Sequence, residues 1–176
     1  DNNYKLIVVL AGTTRILLEQ TVKRLSSDLN DRNSYVILSE DNPLYSDSRK
    51  IAKIIQNPKR KRTVIIPILK HHAHIKKINQ LLSEGELHDV LLTNSVLIID
   101  DEADQASLNG LARKKWKMDQ KKKGLSKMEK NEVKKLKDFT TTYGNIIALK
   151  NQITCHSYVQ YTATPQANVL AAQRDL

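Results

Sequence analysis

The residues best suited to chemistry in this sequence are carboxylates that directly follow an apolar run. Four apolar residues, Val96–Ile99, are followed by four acidic residues in five positions: Asp100, Asp101, Glu102 and Asp104. Phosphoryl transfer from a nucleotide requires Mg²⁺ to neutralise phosphate charge and a residue that orients the attacking water. Adjacent Asp and Glu can supply both functions, with Asp101 holding the hydrated Mg²⁺ and Glu102 positioning or deprotonating the water.

The same carboxylates also have a structural interpretation, because acidic residues stabilise the positive end of a helix dipole. However, four carboxylates so close in sequence repel one another unless a cation or basic neighbours offset their charge. The density of acidic residues therefore favours a cation-dependent site over a simple helix start.

A second polar motif follows another apolar run. Thr162 and Thr164 directly follow the apolar run Tyr158–Tyr161. Pro165 suits the first turn of a following helix. Thr164 would then be the N-cap of that helix, and capping alone would explain the motif. Its functional value depends on its pairing with the acidic motif upstream.

The elements that must position these motifs can be predicted from the apolar pattern. The predicted strands are Lys5–Leu10, Tyr35–Leu38, Thr63–Leu69, Val96–Ile99 and Tyr158–Tyr161. Several are continuous and rich in Val and Ile, which is typical of parallel strands covered on both faces. Helical spacing of apolar residues lies between them, from Leu18 to Leu29 and from Ile75 to Leu82. We therefore predict one α/β domain with an open parallel sheet flanked by helices, in which sites form at the carboxyl ends of the strands.

Most of the basic charge is concentrated in one segment. The chain carries 29 basic and 19 acidic residues, a net charge of +10, and residues 113–137 contain twelve lysines or arginines against three acidic residues. Such an excess favours a polyanionic partner such as nucleic acid, although a solvated lysine-rich surface is the alternative. We interpret residues 111–138 as a basic helical hairpin inserted into the domain. Its candidate phosphate contacts are Arg113, Lys114, Lys115, Lys121, Lys122 and Lys123.

Cysteine usage and hydropathy indicate the compartment. The single cysteine, Cys155, excludes an internal disulfide, which fits a reducing intracellular environment. No apolar run approaches the length needed to cross a bilayer. These features predict a cytoplasmic protein without a membrane partner.

The motifs together resemble those of known families. Asp101-Glu102-Ala103-Asp104 and Thr162-Ala163-Thr164 resemble motifs II and III of superfamily 2 helicases. The longer strings, Ile98 to Asn109 and Tyr161 to Asn168, are closer still to the Z-one domain family, and Ile7 to Thr14 resembles its motif Ia region. That family consists of helicase-like proteins to which endonuclease activity is attributed, and which are often linked to bacterial restriction or DNA-modification systems.

The resemblance implies a RecA-like sheet of the P-loop NTPase type and a nucleic-acid-dependent ATPase, with DNA favoured over RNA. It implies that these residues belong to a longer protein, here called the parent protein, which uses ATP and Mg²⁺ as cofactors. It gives Asp101 and Glu102 the roles argued above. It also implies that Asp104 hydrogen-bonds to Thr162 or Thr164, which would couple the nucleotide state to domain movement.

The motif Ia resemblance places Gly12, Thr13 and Thr14 against a nucleic-acid backbone. A glycine turn that opens a helix exposes backbone N–H groups, which suit phosphate. An ordinary strand-to-helix turn with a threonine cap is the alternative interpretation.

The sequence departs from the family pattern in one respect. None of the five glycines opens a Gly-x-x-x-x-Gly-Lys-Ser/Thr loop, the element that cradles the phosphates of a bound nucleotide. The family places the strand with that loop before residue 1, at the centre of the sheet, and a second motor domain after residue 176. We therefore expect residues 1–176 to be an incomplete first motor domain that hydrolyses nothing by itself and needs both segments as partners.

Two other functions stay open at this point. A degenerate helicase-like domain would bind DNA through the basic hairpin without catalysis. A nuclease metal site at the acidic motif ranks lowest, because no Glu-x-Lys arrangement in a strand accompanies it.

Overall fold

A computed structural model describes residues 3–29, 31, 33–103 and 141–163. Their strands are β1 (Leu6–Ala11), β2 (Tyr35–Ile37), β3 (Thr63–Leu69), β4 (Val96–Asp100) and β5 (His156–Gln160). Their helices are α1 (Arg15–Asp28), α2 (Ser48–Gln56), α3 (His72–Leu82), α4 (Gly85–Thr93) and α5 (residues 141–152).

The five strands form one sheet in the order β2-β3-β1-β4-β5, and every pair is parallel. Residues of β1, β3 and β4 are almost all buried or half-buried, as their continuous apolar sequences require. The prediction of an α/β fold with an open parallel sheet flanked by helices is confirmed.

Helices lie on both faces of the sheet. The crossover from β1 to β2 runs towards one edge, whereas the crossovers to β3, β4 and β5 run towards the other. Right-handed crossovers then place α1 on one face and α2 to α5 on the opposite face. Contacts of α4 with α2 and α3, and hydrogen bonds between α3 and α5, agree with this arrangement.

The main core lies between the sheet and the four helices α2 to α5 that cover one of its faces. Alternate residues of β1, β3 and β4 point into it, because successive side chains of a strand face opposite sides. They meet apolar residues of the helices. Fully buried members of this core include Leu6, Val8, Leu10, Ile66, Ile68, Ile98, Ile51, Ile75, Leu87 and Leu149. This packing fixes the strand ends, where the candidate site lies.

The centre of the described sheet is filled by β1, which is hydrogen-bonded to β3 on one side and to β4 on the other. The described strands leave no gap between neighbours. A further strand carrying a phosphate loop would therefore have to join at the edge formed by β2 or at the edge formed by β5, and not between the strands that the structure describes. Residues 111–138 lie outside the described residues.

Candidate functional site

The four residues Asp100–Ala103, here called the acidic turn, leave the carboxyl end of β4 and are held from two neighbouring strands. The Asp101 amide donates to Leu10 O of β1 over 3.1 Å. The Tyr161 amide donates to Asp100 O over 2.8 Å, and the Ala103 amide donates to Tyr161 O over 2.9 Å. Backbone hydrogen bonds therefore fix the acidic turn between β1 and the end of β5.

Asp100, the first carboxylate of the acidic turn, is fully buried. Its Oδ1 lies 2.6 Å from Lys70 Nζ, and its Oδ2 accepts a 2.5 Å hydrogen bond from the hydroxyl of Tyr158. A buried carboxylate is tolerated when it is paired and hydrogen-bonded in this way. Asp100 therefore organises the site from within, and the carboxylates of Asp101 and Glu102 are left for other contacts.

Lys70 directly follows β3 and is only 2% exposed. Besides its ion pair with Asp100, its ammonium donates to the carbonyl oxygens of Asp101 and of Glu102, the second over 2.8 Å. Lys70 is not among the site residues predicted from the sequence. The only signal for it was a lysine placed directly after an apolar run, at the edge of the sheet where the acids also emerge.

Asp101 and Glu102 differ in their exposure. Asp101 is exposed, and its Oδ1 accepts a 3.1 Å hydrogen bond from the Glu102 amide. Glu102 is half-buried and has a left-handed backbone with φ of 51°. Its Oε2 is buried and has no hydrogen-bond partner among the described residues. One carboxylate thus faces solvent, and the other has an oxygen that can accept a proton or a hydrogen bond.

The donor set suits a hydrated Mg²⁺ better than a metal held by protein alone. Within the described ranges, no group of three or more His, Cys, Asp or Glu residues is arranged to hold a metal. Mg²⁺ usually keeps several waters and binds through one or two carboxylates together with substrate phosphates. The exposed carboxylate of Asp101 fits that pattern.

Gly12, at the carboxyl end of β1, lies beside the acidic turn. Its φ is 27°, and a Cβ added to it would lie 2.5 Å from Leu17 Cδ1 and 3.2 Å from Glu102 Oε2. Its carbonyl accepts a 2.9 Å hydrogen bond from the Lys70 amide. The absence of a side chain at Gly12 therefore leaves room for the Glu102 carboxylate.

The two threonines after Gly12 open α1. Thr14 is the N-cap, and its side chain accepts a 3.4 Å hydrogen bond from the Leu17 amide. Thr13 is half-buried and Thr14 is exposed. The threonine cap that the sequence offered as one interpretation is present, and contact of these residues with nucleic acid stays a prediction.

The Thr-Ala-Thr motif emerges beside the acidic turn. β4 and β5 are parallel neighbours in which Asp100 pairs with Gln160, so Thr162 leaves the sheet at the same edge. Asp104 and Thr164 lie outside the described residues, so the expected hydrogen bond between motifs stays a prediction. The six basic candidates Arg113, Lys114, Lys115, Lys121, Lys122 and Lys123 also lie outside them.

The fold and the site define an α/β protein with a five-strand parallel sheet and an acidic turn at its carboxyl edge. No family model, curated protein or solved structure matches this chain. Across the part of the chain that the structure describes, no helix combines the length and the apolar character needed to span a membrane.

Proposed function

We propose that this chain is part of the first motor domain of a nucleic-acid-dependent ATPase of the superfamily 2 helicase type, similar to the Z-one domain family and RecA-like in its sheet. The observation that carries the proposal is the placement of the acidic turn and Thr162 on neighbouring parallel strands at one edge of the sheet. Ligands of open α/β sheets bind at this edge.

The roles follow from the exposure of each carboxylate. Asp100 is engaged by Lys70 and Tyr158, whereas Asp101 faces solvent and can bind the waters of a hydrated Mg²⁺. Glu102 positions the attacking water and accepts its proton at its half-buried carboxylate, one oxygen of which lacks a partner among the described residues. When bound, Mg²⁺ and ATP would supply phosphate-charge neutralisation and the phosphoryl group.

Nucleotide binding requires a phosphate loop, which the 176 residues do not contain. We propose that another segment of the parent protein supplies this loop, and that a second motor domain supplies an arginine to stabilise transition-state charge. The proposed setting is the cytoplasm, with DNA favoured over RNA as the activating partner, and any endonuclease activity of the parent resides outside the acidic turn.

The test is Glu102→Gln in the full-length parent protein, because glutamine keeps the shape of the side chain but cannot accept the proton. DNA-stimulated ATP turnover is expected to fall on the order of 10²–10⁴-fold, the range for loss of a general base, while nucleotide binding persists. Glu19→Gln on the exposed surface of α1 is the matched control and should leave turnover unchanged. Undiminished turnover in the Glu102 variant would remove the mechanistic assignment.

The absence of the phosphate loop from this sequence also favours a second candidate function, a non-catalytic module that binds DNA through the basic hairpin. Measurement of ATP binding by the wild-type parent separates the two candidates. A parent that binds DNA but no ATP would support the module and exclude the motor domain.

A further inference from the structure

Lys70 contacts both sides of the candidate site at once. Its amide donates a 2.9 Å hydrogen bond to the carbonyl of Gly12, and its ammonium contacts Asp100, Asp101 and Glu102. A lysine ammonium carries three donors, and three oxygens of the acidic turn lie within reach of them. A bound phosphate would have to displace these contacts, so Lys70 is not placed to act as a phosphate-binding lysine.

The positive charge of Lys70 offsets the repulsion among the adjacent carboxylates of the acidic turn. Three consecutive carboxylates repel one another unless a cation offsets them. In the structure, the ammonium of Lys70 lies 2.6 Å from the first carboxylate, Asp100, and is fully buried with it. The acidic turn can therefore form before any metal ion binds.

The N–H donors of the Lys70 ammonium also act on the backbone of the acidic turn. They engage the carbonyls of Asp101 and Glu102, and Glu102 adopts a φ of 51°, which is uncommon for a residue with a side chain. Such a conformation persists when surrounding contacts determine it. The contacts from Lys70 lie on both residues whose carboxylates carry the proposed chemistry.

We propose that Lys70 is a positioning residue that sets the conformation of the acidic turn, so that Asp101 and Glu102 present their carboxylates at the edge of the sheet. It acts through the turn, and no contact with nucleotide or DNA is required of it. The significance for catalysis rests on the proposed ATPase function, whereas the effect on the turn does not.

The experiment separates positioning from simple core stability with two variants. Lys70→Met leaves Asp100 buried without its cation. Lys70→Met combined with Asp100→Leu replaces the ion pair by apolar side chains, an exchange that buried pairs often tolerate. Lys76→Met, at an exposed lysine of α3, is the matched control.

The first readout is amide hydrogen exchange at Asp101 and Ala103 in this chain, measured by NMR. The Lys70→Met variant is expected to lose stability, and the double variant to regain most of it. In the double variant, both amides should nevertheless exchange about tenfold faster, the factor that corresponds to about 1.4 kcal/mol. Amides within the pairing of β1 with β3 should keep their wild-type rates. Wild-type exchange in the acidic turn of the double variant would overturn the inference.

The second readout is DNA-stimulated ATP turnover of the parent protein. The double variant is expected to lose roughly 10–100-fold in kcat, as seen when residues that orient a metal site are removed, although it is stable. Recovery of turnover together with stability would reduce Lys70 to a core ion pair. If Glu102→Gln leaves the ATP turnover of the parent protein unchanged, only the proposed function is refuted. The exchange rates then still decide the role of Lys70.

A third variant covers the possibility that the double variant does not fold. Lys70→Arg keeps the positive charge but replaces the compact ammonium by a planar fork, which cannot point at the same three oxygens. Faster exchange at Asp101 and Ala103 is expected despite the retained charge. Exchange at the wild-type rate would contradict the positioning role.

Discussion

The hydroxyl of Tyr158 donates a 2.5 Å hydrogen bond to Oδ2 of Asp100, the carboxylate whose other oxygen is paired with Lys70. Asp100 of β4 thus joins Tyr158 of β5 to Lys70, which directly follows β3, although β1 lies between β3 and β4 in the sheet. Lys150 of α5 lies 4.5 Å from the centre of the Tyr158 ring and extends the group to the helical layer. The carboxyl ends of three strands are therefore tied together by side chains as well as by backbone pairing.

Replacement of the Tyr158 hydroxyl tests this group. Tyr158→Phe is expected to lower the free energy of unfolding by about 1.5–3 kcal/mol, because a buried carboxylate oxygen loses a charge-assisted hydrogen bond. Tyr161→Phe, three residues further on and 59% exposed, is the matched control and should change it little. Urea denaturation measures both variants. Equal losses would show that the bond to Asp100 contributes no specific stability.

Substitution of glycine by alanine is expected to have opposite effects on stability at Gly12 and at Gly144. Gly12→Ala would place a Cβ 2.5 Å from Leu17 Cδ1 at a φ of 27°, and backbone strain alone should cost about 1–3 kcal/mol of stability. Gly144→Ala adds a methyl group at an exposed position of α5, where no atom beyond the local helix backbone and the chain neighbours lies within 4 Å, and should stabilise by about 0.5–1 kcal/mol. Thermal unfolding gives both signs. A neutral Gly12→Ala would mean that the turn has no need of a left-handed residue.

The strands could largely be predicted from the sequence because they are buried on both faces. Thr63–Leu69 was predicted with the bounds that the structure gives to β3. For β5, the outermost described strand on one side of the sheet, the predicted bounds differ from the observed ones. Tyr158–Tyr161 was expected, whereas β5 spans His156–Gln160. His156 and Ser157 are polar, and they join the strand because they pair with Val96 and Leu97 of β4. Tertiary pairing, which local composition does not contain, therefore decides the edge.

Helices α2 and α4 were not predicted, because each has only nine residues and so shows its apolar spacing over little more than two turns. Short helices gain most of their stability from packing, and these two contact each other over the sheet. Helix α3 was better indicated, since the helical spacing of apolar residues from Ile75 to Leu82 lies within it, and α3 spans His72–Leu82.

The acidic turn was recognisable from sequence, because its carboxylates are adjacent along the chain. Lys70 was not, because it is 30 residues from Asp100 and its strand is not the neighbour of β4. A lysine after a strand is ordinarily solvated. Only the three-dimensional arrangement of β3, β1 and β4 shows that this one is buried against an acid.

Asp47 gives the stability a predictable dependence on pH. It is the N-cap of α2 and accepts a 3.0 Å hydrogen bond from the Lys50 amide. That bond, followed by the contact with the Lys50 side chain, holds the pKa of Asp47 below its usual value. A carboxyl group whose pKa is lowered by folding contributes stability above its unfolded pKa, about 3.9, and loses it as pH falls through the folded pKa.

Comparison of the wild type with Asp47→Ala by urea denaturation at several pH values measures this contribution. The wild type should be the more stable at pH 7, and the difference should shrink as the pH falls below about 4. Asp47→Asn is the control, since asparagine caps a helix about as well as aspartate without titrating. A difference between wild type and the alanine variant that does not change with pH would contradict the assignment.

The basic hairpin proposed for residues 111–138 predicts a specific salt dependence of DNA binding. Removal of residues 113–137 is expected to weaken binding and to flatten the plot of log affinity against log salt, because each lost phosphate contact changes the slope by about 0.9. A finer test replaces Lys121, Lys122 and Lys123 by alanine. If all three contact phosphate, the magnitude of the slope falls by about 2.7, three times the value for one contact.

The matched control for this test removes the same charge elsewhere. Lys59, Arg60 and Lys61 form an exposed basic loop before β3, and their replacement by alanine alters the net charge of the chain equally. Fluorescence anisotropy with a short DNA duplex, measured between low and physiological salt, compares the two triple variants. The hairpin variant should change the slope and the loop variant should not, because contact with phosphate releases counterions and distant charge releases few. Equal changes in both would mean that the net charge, and not a hairpin surface, governs binding.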